Sequence, residues 1–116
     1  MDHQQALTAL QALANAARLD MVRLLVPAGT GGLAAGDIGR QLGLSASRLS
    51  FHLSAMEQAG LIRSRRDGRH VFYSVDAIGL GATIAVLLHD CSMDYPEVVA
   101  CCRHGRSPID THPVKD

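Results

Sequence analysis

Apolar positions keep a helical period through the first 60 residues and then change to a period of two. Ala6, Leu7, Leu10, Leu13 and Ala14 stand at helical spacing and predict a first amphipathic helix over 4–14. Asn15 then offers a cap, and Leu19, Val22, Leu24, Leu25 and Val26 predict a second helix over 16–26, closed by Pro27 and Gly29. The glycine-rich stretch 29–33 reads as a flexible connection. A short third helix follows over 34–42, with Ile38 and Leu42 four apart and Gly43 as its stop. Ser45 caps a fourth helix that runs through Ala59, with Leu49, Leu53 and Met56 on one face and Gly60 at its end.

From Leu61 onward residues alternate as in strands, over 61–66 and again over 69–75. Asp67-Gly68 between the two runs is a strong hairpin signal, because a primed turn needs positive φ at its centres. A last helix over 76–89 carries Ile78, Leu80, Ile84, Leu87 and Leu88 and is apolar nearly all round, as expected of a helix buried between a core and a second subunit. The expected fold is mainly α with a small β-hairpin (α+β), in the order ααααββα. Residues 1–90 form its domain, 91–102 hold every cysteine, and 103–116 read as a flexible tail. Two helices joined by a tight glycine turn, followed by a hairpin with arginines at its tip, is the order of a winged helix-turn-helix.

Composition agrees with that fold. In 116 residues, 47% of them hydrophobic, one core can form, and an apolar content of mostly Ala and Leu with no Trp favours helices. No run of 18 apolar residues and no basic-then-apolar leader is present, so a cytoplasmic protein with no membrane partner is expected.

Net charge is zero, but the charges are not spread evenly. Between positions 40 and 70 six arginines (Arg40, Arg48, Arg63, Arg65, Arg66 and Arg69) stand against Glu57 and Asp67, a local +4 that leaves −4 for the remainder. Such a segment attracts a phosphate backbone while the other faces stay neutral or acidic. A helix fits the major groove and reads base edges near its N-terminus. Ser45, Ser47, Arg48, Ser50, Phe51 and His52 are therefore the candidate readers, with Arg48 suited to guanine and Phe51 to a thymine methyl. Arg65, Arg66 and Arg69 at the hairpin suit a minor groove or its phosphates. For His52 and His70 a structural or phosphate-adjacent hydrogen bond is expected, since neither has a second metal ligand four residues on.

The segments LANAARLDMVRLL (13–25), LGLSASRLSFHLSAMEQAGLI (42–62) and RRDGRHVFYSV (65–75) resemble the ArsR family of metalloregulatory repressors, over roughly residues 5–90. The resemblance implies a homodimer paired through its first and last helices, bound to double-stranded DNA at an inverted-repeat operator and released by an inducer. It also implies that Ser47, Arg48, Ser50, Phe51 and His52 belong to the recognition helix and that Arg66 and Arg69 are wing contacts.

It does not supply the inducer. The family's arsenic site needs Cys-x-Cys at the start of the third helix, where this chain reads LAAGDIG over 33–39. Its zinc site on the last helix finds Asp76 and His89 here, but Ile78 and Ser92 at the other two places. Cys91, Cys101 and Cys102 instead follow the last helix, and on one continuous helix the first two would lie about 15 Å apart. Pro96 disfavours helix at Tyr95, and Asp94 with Glu97 resembles a capping box for a new short helix, so the chain can fold back and bring the sulfurs together.

Three thiolates suit a trigonal thiophilic centre, As(III), Sb(III) or a trivalent organoarsenical, better than Zn(II), unless His89 or His104 completes a tetrahedron. Two other readings stand beside it: inert thiols, or a redox or reactive-sulfur switch joining Cys91 to Cys101 or Cys102. No nucleophile-base-orienter pattern accompanies the cysteines, so no enzyme is expected. A winged-helix module that binds only proteins is disfavoured by Arg48 and the basic hairpin tip.

Overall fold

Local caps fix the helices of the N-terminal half. In the computed structural model, which describes residues 2–103, Asp2 and Gln5 form a capping box at the start of α1 (His3–Leu13). The Asn15 side chain accepts the Arg18 N–H at 3.2 Å and starts α2 (Ala16–Leu25), and Ser45 Oγ accepts the Arg48 N–H at 3.3 Å and starts α4 (Ala46–Gln58). Between them α3 (Ala35–Leu42) stops at Gly43, whose φ of 66° is the left-handed conformation a helix stop requires. The expected helix-turn-helix is thus α3 and α4.

The remaining elements are a 3₁₀ turn (Gly29–Gly31), β1 (Leu33–Ala34), β2 (Ile62–Asp67), β3 (His70–Val75), α5 (Ala77–Ala85), a π-helical stretch (Val86–Cys91) and α6 (Pro96–Arg103). The chain divides into two compact units, one reaching Thr83 and the other beginning at Ile84.

The core of the first unit is Met21, Leu25, Ile38, Leu49, Leu53, Met56, Leu61 and Ile62, joined by Ala9 and Ala12. Leu49, Leu53 and Met56 face inward from α4, as the spacing predicts. In α1 the buried row is Ala6, Ala9 and Ala12; of the expected stripe Ala6 is buried and Leu13 packs against the core, whereas Leu7 is 42% exposed, which corrects its place in that stripe. Small side chains let α1 lie close against its neighbours, so alanine wins that face.

Three antiparallel strands in the order β1-β3-β2 replace the expected two. Leu33 pairs with Tyr73 and Ala34 with Phe72, so the stretch read as a connection ends in a strand. Gly32 makes this possible: at φ 70° it lies so close to β3 that a Cβ would stand 2.2 Å from the Tyr73 carbonyl oxygen. The hairpin turn is shifted by one residue from the expectation. Asp67 pairs with His70, Gly68 and Arg69 form the centre, and only Gly68 has positive φ, as in a type II′ turn. At the start of α5 the Asp76 carboxylate accepts the Gly79 N–H at 3.0 Å, and Gly79 packs directly on the Gly60 carbonyl.

In the second unit Met93 and Asp94 take positive φ, 53° and 59°, and the Tyr95 carbonyl accepts the N–H groups of Val98 and Val99 as α6 begins. The short helix after Pro96 is therefore present, although its start differs from the expected box: the Asp94 carboxylate pairs with His89 Nδ1 instead of capping α6. The order ααααββα accordingly gains β1 and α6. His104 and all of the expected tail except Arg103 lie outside the described residues.

Candidate nucleic-acid interface

Burying Leu49, Leu53 and Met56 turns the opposite side of α4 to solvent. Ser45, Ser47, Arg48, Ser50 and Phe51 are all exposed there, and Phe51 is 65% exposed although it is a large apolar ring. Ser47, Arg48, Phe51 and His52 line a shallow concavity of about 280 Å³ on this surface.

His52 departs from the outward set. It is 7% exposed, and its Nδ1 accepts the Nε–H of Arg18 at 3.1 Å. Burial first, then the positive charges of Arg18 and Arg48, lower its pKa below the usual histidine value and keep the ring neutral. Its role is the structural hydrogen bond, one of the two expected for it. Arg18 also reaches the Ala12 carbonyl at 3.4 Å and lies 5.5 Å from the centroid of the Phe51 ring. Sequence reading missed Arg18; nothing in its local pattern sets it apart from Arg23, the other arginine of α2.

The pleat of the hairpin divides its arginines. Cross-strand partners share a face, so Arg63 and Arg65 lie with Ser74 and Phe72, while Arg66 lies with Val71 on the side that carries Ile62, Tyr73 and Val75. Arg65 is held within the protein: it stacks 4.9 Å from the Phe72 centroid, donates to the Gly31 carbonyl at 3.1 Å and faces Asp67 at 3.9 Å. Arg63 faces Asp76 at 3.8 Å, and Arg40 pairs with Asp37. Among the described residues no hydrogen bond, ion pair or ring contact engages the side chains of Arg48, Arg66 or Arg69, which leaves three guanidinium groups available to phosphates or bases.

Tyr73, in the sheet, has its pKa raised by burial and then by Glu57, whose carboxylate accepts the Ser64 hydroxyl at 2.7 Å. His70 is exposed at the hairpin tip, edge-on to Phe72 at 6.4 Å between ring centroids.

The three thiols lie in the second unit. Cys91 ends the π-helical stretch, Cys101 and Cys102 are neighbours on α6, and all three are exposed and outside any disulfide. Adjacent residues on a helix do not face each other. Among the described residues no group of three His, Cys, Asp or Glu is placed to hold a metal ion, so the sulfurs do not fit a metal as they stand. Of the family's zinc positions, Asp76 caps α5 and His89 pairs with Asp94. No helix among the described residues is long and apolar enough to cross a membrane.

A helix-turn-helix with an exposed reading face and an arginine-tipped hairpin defines the class of winged-helix DNA-binding regulators. Residues 13–65 match a helix-turn-helix domain family. The chain is 39% identical over 84 residues to the HTH-type transcriptional regulator YgaV of Escherichia coli, covering 72% of this chain and 83% of that one. It superposes on HlyU of Vibrio cholerae with a TM-score of 0.61 at 32% identity, covering 78% of this chain and 97% of HlyU. It also resembles the homodimeric winged helix-turn-helix domain of Mb0332 from Mycobacterium bovis, described as a possible ArsR-family regulator, with a TM-score of 0.59, 25% identity, and coverage of 74% and 82%. The chain belongs to the ArsR family of winged helix-turn-helix transcriptional regulators.

Proposed function

We propose that the protein is a homodimeric repressor that holds an inverted-repeat operator through α4 and the hairpin and leaves it when its C-terminal thiols are engaged. The observation that carries the DNA half is the exposed face of Ser47, Arg48, Ser50 and Phe51 on α4 together with the unengaged guanidiniums of Arg48 on that helix and of Arg66 and Arg69 on the hairpin. A two-fold dimer, as in Mb0332, reads a two-fold site, hence the inverted repeat.

For the inducer, the primary reading is a thiophilic ion, As(III), Sb(III) or a trivalent organoarsenical, held by Cys91, Cys101 and Cys102. Since these sulfurs are not gathered, this reading requires residues 91–102 to rearrange as the ion binds. A second reading is favoured by the exposure of all three thiols and by a solved form of HlyU described as reduced: a disulfide or polysulfide between Cys91 and Cys101 or Cys102. Either change releases DNA if it favours a dimer geometry that no longer matches successive major grooves, a coupling of about 1–3 kcal/mol.

The test is fluorescence anisotropy on the duplex that the protein enriches from a random-sequence pool. The reduced protein is titrated with arsenite, antimonite, methylarsenite, zinc, cadmium and a persulfide donor. Release by arsenite that the Cys101→Ser/Cys102→Ser variant loses supports the ion. Release only by the persulfide donor, reversed by a dithiol, supports the switch. Normal release in the variant places the sensor elsewhere.

A further inference from the structure

Arg18 stands 34 positions before His52, on α2, yet it gathers three elements around one guanidinium. Its Nε–H goes to His52, its Nη1 to the Ala12 carbonyl in the last turn of α1, and its guanidinium carbon lies over the Phe51 ring of α4. His52 meets the same ring edge-on, with centroids 5.6 Å apart and an interplanar angle of 64°. Phe51 is thus exposed to a partner but braced from beneath by a cation and an imidazole.

We infer that Arg18 is a positioning residue for base reading, which through His52 and the ring contact holds Phe51 in one orientation on the DNA-facing side of α4. This rests on α4 being the DNA-reading helix. An exposed Phe left to itself samples several rotamers, and fixing it in advance removes the ordering cost from binding. Base contacts confer selectivity whereas phosphate contacts do not, so the brace acts on sequence preference and spares affinity for arbitrary DNA. Lysine cannot replace it, because the planar fork donates from Nε and Nη1 at once while its charge lies over the ring.

The brace needs an acceptor at Nδ1, which places the ring proton of neutral His52 on Nε2. The charged groups facing His52 are Arg18 from α2 and Arg48 from its own helix, and both disfavour protonation. A proton on Nδ1 turns the acceptor into a donor facing another donor and releases Arg18.

The test compares the duplex enriched by the wild-type protein with a scrambled duplex of the same length, over a range of salt and pH. Arg18→Lys is expected to lower the preference for the enriched duplex by about tenfold, leaving scrambled-duplex affinity and salt slope unchanged. Phe51→Ala is expected to lose the same preference, and the double variant no more than either single one. In His52→Asn, whose side-chain oxygen takes the place of Nδ1 but which lacks the imidazole edge on Phe51, the preference that remains is expected not to fall on acidification.

Retained preference in Arg18→Lys overturns the inference, as do additive losses in the double variant. Equal losses on both duplexes with a shallower salt slope overturn it too, by making Arg18 a phosphate contact. If Arg18→Lys does not fold, the pH profile of His52→Asn decides: an acid step that persists there overturns the inference. A wild-type protein that enriches no duplex sinks instead the assignment of α4 as a reading helix.

Discussion

Single arginines in this protein divide by what they touch. Arg66 and Arg69 are unengaged, whereas Arg65 is held by Phe72, Gly31 and Asp67. Arg66→Ala or Arg69→Ala is therefore expected to weaken binding on every duplex and to reduce the salt slope by about one per bound guanidinium, while Arg65→Ala leaves that slope nearly unchanged. Anisotropy at several salt concentrations checks this. The basic segment was legible in the sequence, but this division was not: the carbonyl that holds Arg65 is 34 positions away, and no local pattern announces it. The same distance hid Arg18. His52 supplies a stability test. Its folded pKa is depressed, so the unfolded chain binds more protons on acidification; its contribution is complete above the ordinary histidine pKa and is lost as pH falls through the folded one. Melting temperature is expected to drop between about pH 7.5 and about pH 5 more steeply in the wild type than in His52→Asn.

Elements were legible where their signals are local. Asn15, Gly43 and Ser45 announce helix ends because a cap acts within three or four residues, and each stands where expected. The strand β1 was not legible, because two residues carry no period and Leu33–Ala34 is a strand only by virtue of β3. Glycines at contacts between elements give contrasting expectations. Gly32→Ala sets a Cβ against the Tyr73 carbonyl at positive φ, and Gly79→Ala sets one 1.8 Å from the Gly60 oxygen; each is expected to cost on the order of 1–3 kcal/mol. Gly81→Ala, on α5 with open space around it, is expected to stabilise by about 0.4–1 kcal/mol. Denaturant unfolding of the three variants measures the contrast.

As a whole molecule, a dimer of this chain presents, among the described residues, six unengaged guanidiniums, three from each protomer. If all six displace counterions, log affinity for duplex DNA is expected to fall with log salt at a slope of about −5, against about −3 for a monomer. Analytical ultracentrifugation beside the salt titration distinguishes the two. The winged-helix class was legible from element order, whereas the meeting or parting of three sulfurs depends on turns at Met93 and Asp94 that their residue types do not advertise. One last consequence lies in the Arg65-Arg66 doublet. Because the two straddle the pleat, identical neighbours have opposite duties, one a rivet and the other a free hand. Slipping the hairpin by a single position exchanges them without altering composition or charge, so copying the basic tip into another scaffold transfers its grip only if the strand parity is copied as well.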